Sequence, residues 1–353
     1  MYPFEQRSFS SSQVRKAGEL LRVIGTCSEE DKNWALEVLD NFRALHAVPL
    51  NTFQATLRKR LDRLEIRHFI VAQRIKRKPT ILDKLQRFDG MQLNRMGDIG
   101  GIRAIVSSVS QLQQLVEAYT EPSERKKLKH EIVRHDDYVN HPKKSGYRGV
   151  HLEYRYKSSS KNREAYNGLR IEMQFRTELQ HAWATAVETF EAFMGEKFKS
   201  SQGSREWLDY FALVSSAFAH LEGTPPLHEH KEMAMQQLSA EIKKRTDELQ
   251  VLHMMEGFVL VDRVRSSQNM KKGYALLVFD AVERSGSMRL YHENRYKEAY
   301  MNYLREETRS VIDAGRQVVL VKMDTVKNLA KAYPNYFADL SRFKSYLAKV
   351  MGA

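Results

Sequence analysis

The chain has 353 residues, 42% of them hydrophobic, enough to bury one large core or two ordinary ones. Cys27 is its only cysteine, which excludes internal disulfides and cysteine-rich zinc sites, and no apolar run is long enough to span a bilayer. The net charge of +13 favours polyanionic partners, nucleotides or nucleic acid; the segment Met1–Arg7 lacks the apolar core of a secretion signal, so a cytoplasmic protein with no membrane partner is expected.

Along the chain, Ser10-Ser-Ser-Gln-Val-Arg-Lys predicts a capped helix over 10–25, and a second helix follows Ser28 with Trp34, Leu36, Val38, Leu39 and Phe42 at helical spacing. A third is expected from about Phe53 to Gln73. Strand patterns come next. Gly101–Val106 is short and apolar, Val150–Tyr156 alternates, and Leu169–Phe175 alternates with Arg170, Glu172, Gln174 and Arg176 on its polar face. A helix from about Leu179 to Met194 follows. Gly223-Thr-Pro-Pro is a break, then a charged helix runs from about His230 to Leu252. Beyond Gly257 the pattern changes: strands are expected at Phe258–Val264, Tyr274–Phe279, Met288–Tyr291 and Gln317–Lys322, with helix over Asn294–Ala314 and around Tyr333-Pro-Asn-Tyr336. This tail reads as a separate α+β domain, which divides the chain at 1–255 and 256–353.

Three clusters carry chemistry. Arg74, Lys76, Arg77, Lys78, Lys84 and Arg87 concentrate cations, and Thr80 is a candidate cap for a helix starting near Ile81, whose N-terminus favours phosphate. Asp98 and Glu172 are the candidate magnesium ligands, since that ion usually takes one or two carboxylates; Glu172 is equally a candidate base for an attacking hydroxyl. Tyr147, in a basic glycine-containing loop with Lys143 and Lys144, is placed to stack on a base while the lysines hold phosphates, and His151 falls on the next strand.

In this order, Asp98-Ile-Gly-Gly-Ile-Arg103, Gly146-Tyr-Arg-Gly-Val-His151 and Glu172-Met-Gln-Phe-Arg-Thr177, preceded by the basic segment 74–87, resemble the RelA/SpoT alarmone synthetases over roughly residues 50–200. The resemblance implies an α+β fold, a nucleotidyltransferase-like mixed sheet flanked by helices, and transfer of the β,γ-diphosphate of ATP to a ribose hydroxyl. It implies Arg74 and Arg103 around the adenine, Lys76, Thr80 and Lys84 on the phosphates, Asp98 and Glu172 on magnesium, Tyr147 on the acceptor base, and His151 and Gln174 completing the site. The family's hydrolase domain has no counterpart in the sequence. Arg77-Lys-Pro-Thr-Ile and Asn94-Arg-Met-Gly-Asp resemble most the toxic small synthetases, which modify the 3′ hydroxyl of the tRNA CCA end. Lys143, Lys144 and Arg148 are the expected tRNA contacts. The tail resembles the pseudo-zinc-finger antitoxin domain of the CapRel fused proteins, whose Tyr-x-x-Tyr motif Tyr333 and Tyr336 match. That likeness implies no zinc, a monomer restrained by its tail, and release by a phage structural protein. The alternatives are an ATP-dependent synthetase acting on GTP, GDP or an adenosine nucleotide, and an inactive nucleotide- or RNA-binding module.

Overall fold

The first two helices begin where the sequence places their caps. The computed structural model describes residues 6–125, 127–194, 204–252, 255, 273–280, 285–312, 316–323 and 340–352. Helix α1 (Ser11–Arg22) starts with a reciprocal box: Gln13 N donates to the Ser10 hydroxyl at 3.3 Å, and Ser10 N donates to the Gln13 side chain at 2.8 Å. Helix α2 (Glu29–Leu45) is capped by Ser28 and opens with Glu29, Glu30 and Asp31, which meet the positive end of its dipole. Helix α3 (Ala47–Arg63) carries Pro49 in its first turn, where the missing N–H breaks no bond, and buries Leu50, Phe53, Leu57 and Leu61 along one stripe.

The third helix is not the one expected over Phe53–Gln73. It starts six residues earlier and stops at Arg63; Glu65 turns the chain with φ 55°, and Phe69–Ile75 is strand β1. Phe69, Ile70, Val71 and Ile75 favour a pleated surface, and seven-residue pairing with β2 (Gly100–Val106) outweighs the helical pattern. Helix α4 (Lys78–Arg87) lies between these strands; α5 (Val109–Thr120) and the single turn α6 (Pro122–Arg125) follow β2. Next come β3 (Glu131–Asp137), β4 (Val150–Arg155), β5 (Arg170–Thr177), and the helices α7 (Glu178–Met194), α8 (Arg205–Glu222) and α9 (Met235–Glu248). The C-terminal region adds β6 (Gly273–Asp280), β7 (Ser285–His292), α10 (Tyr296–Ile312), β8 (Arg316–Met323) and α11 (Ser341–Met351). The strand expected at 258–264 and the segment around 333–336 lie outside the described residues.

Among the described residues, eight strands form one sheet in the order β3-β4-β5-β2-β1-β8-β6-β7. Only β2 and β5 run parallel; every other neighbouring pair is antiparallel. One face of its first half packs Ile102, Ala104, Leu152, Tyr154, Ile171, Met173 and Phe175 into a core shared with α1, α2, α3 and α5. A second core joins Trp183 and Phe190 of α7, Phe211 and Phe218 of α8, Leu238 and Ile242 of α9, and Phe343, Leu347 and Val350 of α11.

Described elements on the two sides of the expected boundary at 255/256 touch each other. Strand β8 pairs with β1 through Gln73↔Lys322 and Arg74↔Val321, and α11 completes the core built by α7, α8 and α9. The described part of the tail is an α+β layer, three antiparallel strands with α10 against them, that prolongs the sheet. Among the described residues, no helix is long and apolar enough to cross a membrane.

Candidate active site

Strand register decides which side chains meet. Arg74 stands opposite Gly101 and Ala72 opposite Arg103, so both arginines leave the same face of the β1–β2 pair, diagonal to each other. Across β2 and β5, Gly101 aligns with Glu172 and Arg103 with Gln174; across β5 and β4, Gln174 aligns with His151 and Glu172 with Glu153. Alternation therefore gathers Arg74, Arg103, Glu172, Gln174, His151 and Glu153 on one face, opposite the apolar core.

Asp98, at the entry to β2, accepts from Lys76 Nζ at 2.8 Å on one oxygen and from Lys84 Nζ at 2.9 Å on the other. Burial pushes its carboxyl up, but the two ammonium groups outweigh this and hold it below the usual range. The three side chains are 13–24% exposed, so a ligand can reach them. The Glu172 side chain is 21% exposed. Burial raises its pKa, yet His151, 3.1 Å away through Nδ1, and Gln174, donating at 2.6 Å, bring it well below a normal glutamate. The charge of Glu172 also acts on Asp98.

From Glu172 a chain of polar contacts continues: His151 Nε2 lies 2.5 Å from the Tyr147 hydroxyl, and Arg176 Nη2 donates to that hydroxyl at 2.5 Å. Burial pushes the Tyr147 phenol up, with Arg176 opposing. Its ring is 8% exposed, with Arg176 4.8 Å and Lys143 5.2 Å from its centroid and Tyr138 and His151 edge-on. The expected stacking platform is thus covered in this conformation, and the hydroxyl is its engaged part. Lys143 lies over Tyr138 at 4.3 Å; burial lowers its pKa, and Glu172 opposes that.

Two expectations are corrected. Thr80 does not cap α4, which begins at Lys78 with Arg77 as N-cap and no side-chain cap bond; Pro79 already favours a helix start there. Arg148 is not a surface contact for tRNA. It is 3% exposed, donates from Nε to Ser215 at 3.0 Å and from Nη1 to the Val139 carbonyl at 3.2 Å, and burial brings it down to about 10. Lys144 stays exposed, and Tyr333 and Tyr336 lie outside the described residues.

The sequence assigned no role to two residues that the site holds. Arg176 is 3% exposed and joins Tyr147 to Gln174; its place on the polar face of β5 was the available signal. Glu153 shares a face with His151, accepts from Arg170 at 2.7 Å, and rests its carboxylate against Gly97, where an added Cβ would stand 2.3 Å from Glu153 Cδ.

The donor set suits a divalent ion carried with phosphates. Among the described residues no three or more His, Cys, Asp and Glu stand together as a metal cage. Magnesium needs only one or two carboxylates, both candidates are held ionised, and Lys76 and Lys84 supply the charge that phosphate oxygens require.

Residues 73–192 match the family model of the region found in RelA / SpoT proteins. The matched stretch runs from within β1 to near the end of α7 and contains every carboxylate and lysine just described. A Bacillus subtilis protein, the GTP pyrophosphokinase YwaC, is 30% identical over 118 residues, 32% of this chain and 52% of that protein. An uncharacterised protein of Mycobacterium tuberculosis is 31% identical over 140 residues, 36% of this chain and 43% of that one. The chain spans about half the length of the curated relatives it matches. Small alarmone synthetase 1 of Bacillus subtilis, solved bound to its product pppGpp, is 21% identical with a TM-score of 0.44, covering 53% of this chain and 94% of that one.

Proposed function

We propose that the chain transfers the β,γ-diphosphate of ATP to a ribose hydroxyl, and that the acceptor is the 3′ end of tRNA. The observation that carries the transfer is the Asp98–Lys76–Lys84 cluster on the site face beside ionised Glu172, within a matched RelA/SpoT region. The acceptor oxygen attacks the β-phosphorus, the bond to the α-phosphate oxygen breaks, and AMP leaves. Lys76 and Lys84 neutralise the donor phosphates, and Arg74 and Arg103 flank its base. Magnesium, when bound by Asp98 and Glu172, supplies the remaining neutralisation of phosphate charge. Glu172 is the candidate base for the acceptor hydroxyl as well as a ligand of the ion. His151, which meets Glu172 through Nδ1 and Tyr147 through Nε2, orients that carboxylate.

The basic balance of the chain, with Lys143 and Lys144 beside the acceptor side of the site, supports a polyanionic acceptor. In the same reading the tail restrains the enzyme through Tyr333 and Tyr336, and a phage protein that binds the open tail releases it. A cytoplasmic setting fits that role. The second reading, transfer to GTP or another free nucleotide, is favoured by the similarity to the GTP pyrophosphokinase YwaC. Incubating γ-labelled ATP and magnesium with tRNA, GTP, GDP and AMP in separate reactions decides between them. Label on tRNA supports the first reading, label on a free nucleotide replaces it with the second, and label on none rejects transfer.

A further inference from the structure

The tail reaches the phosphate-binding segment through a sealed polar network. Glu307 of α10 and Arg43 of α2 are both 0% exposed and pair in two places, Nη1 to Oε2 at 2.9 Å and Nη2 to Oε1 at 3.0 Å. Tyr303, one turn earlier on α10, donates to Glu307 at 2.6 Å and accepts from Arg43 at 2.5 Å. The pair does more than join two helices. Arg43 Nε donates to the Lys76 carbonyl at 3.1 Å, and Glu307 Oε1 accepts from the Lys78 amide at 2.6 Å. The backbone is thus gripped on both sides of Arg77. Lys78 is held a second time, by Nζ to Asp40 at 2.7 Å.

That short stretch carries Lys76 and opens the helix that carries Lys84, the two cations on Asp98. Its position fixes where the donor phosphates are met. A cavity of about 40 Å³, lined among others by Leu50, Ile75, Tyr274, Tyr300 and Tyr303, lies beside Tyr303. Directional bonds tie α10 to the 76–78 backbone.

We infer that Arg43 and Glu307 are positioning residues for ATP: they set the backbone that presents Lys76 and Lys84, which makes α10 a working part of the donor site. The inference rests on the reading of this site as an ATP site. It gives the tail two opposed roles. The segment at 333–336 is proposed to restrain the enzyme, whereas α10 supports it. Cutting away the whole tail therefore removes both effects at once and is a poor test of either.

The test uses the full chain and a non-hydrolysable ATP analogue with magnesium. Glu307→Gln keeps the shape but loses the charge. The double variant Arg43→Met with Glu307→Leu replaces the pair by apolar groups, a change that buried ion pairs often tolerate. Analogue affinity is measured together with the melting temperature and, in turnover, the KM for ATP and for the acceptor. The expected result is an analogue affinity about tenfold weaker in both variants, with the double variant melting near the wild type and only the KM for ATP raised. A double variant that melts and binds like the wild type shows a purely structural pair and overturns the inference, as does Glu307→Gln with unchanged affinity. A wild-type chain that fails to bind the analogue rejects the ATP reading itself, and the inference falls with it.

Discussion

Two ionic networks flank the segment from Lys76 to Lys84, and they are built on opposite plans. On one side Asp98 holds Lys76 and Lys84 with side chains 13–24% exposed; on the other Arg43 and Glu307 are wholly sealed. The open network keeps three charged groups within reach of water and of a ligand, so its value is chemical. Exposed or partly exposed pairs add little to stability. The sealed network cannot meet a ligand. Breaking it strands a charge in the interior, so its value is geometric. The difference teaches that charge alone does not mark a functional group: accessibility decides whether an ion pair acts on a substrate or on the backbone that meets it.

The comparison can be broken most sharply on its open side. Asp98→Asn is expected to lower diphosphate transfer by a factor of about a thousand or more, about 4 kcal/mol of barrier, while shifting the melting temperature by only a few degrees. Transfer near the wild-type rate in that variant would remove the open network from the chemistry. On the sealed side, Arg43→Ala leaves Glu307 buried without its cation and is expected to cost about 3 kcal/mol in urea unfolding. A loss below about 1 kcal/mol would mean that water replaces the guanidinium, and the two networks would then differ less than their exposure implies.

The sealed side also predicts a pH dependence. His46, next to α3, is fully buried, with Nδ1 2.8 Å from the Phe42 carbonyl; burial lowers its pKa from 6.5 to about 4, the Phe42 bond opposes this, and Arg7 and Arg43 add to it. Between those values the unfolded chain binds a proton that the folded chain refuses. Folding stability is therefore intact above pH 6.5 and falls as pH drops towards 4, by about 3 kcal/mol at most. Denaturant titrations of the wild type and His46→Gln across this range should diverge in slope; parallel curves would place His46 outside the effect. The smallest expected change is Tyr147→Phe. Removing a hydroxyl that joins His151 to Arg176 should slow transfer about tenfold with little loss of acceptor binding. A variant that instead loses acceptor affinity and keeps its rate would show that the ring matters through contact with the base.

Legibility followed the same division. The positions of Lys76, Lys84 and Asp98 were readable from short motifs and that of Glu172 from strand alternation; β4 and β5 formed close to where alternation placed them, and β2 where a short apolar run did. The helix over Phe53–Gln73 failed past Arg63 because pairing with β2, a tertiary contact, overrode a helical pattern. The burial of Arg148 was not legible because it depends on Ser215 and Val139, which no local pattern places beside it. Arg43 and Glu307 stand 264 positions apart, and nothing short-range in either helix announces the pair. The same reason hid the pairing of β8 with β1.

Gly97 carries a last consequence. Its φ is not in the left-handed region, so conformation does not demand glycine there; an added Cβ would instead have to push aside the Glu153 carboxylate, which is tied to Arg170. The requirement is therefore conditional. In a pairwise mutational scan, positions 97 and 153 should show epistasis: alanine at 97 is damaging beside glutamate, and is relieved when 153 is shortened to a smaller side chain. The residue just before the magnesium candidate Asp98 thus has its permitted alphabet written by a residue two strands away in the sheet.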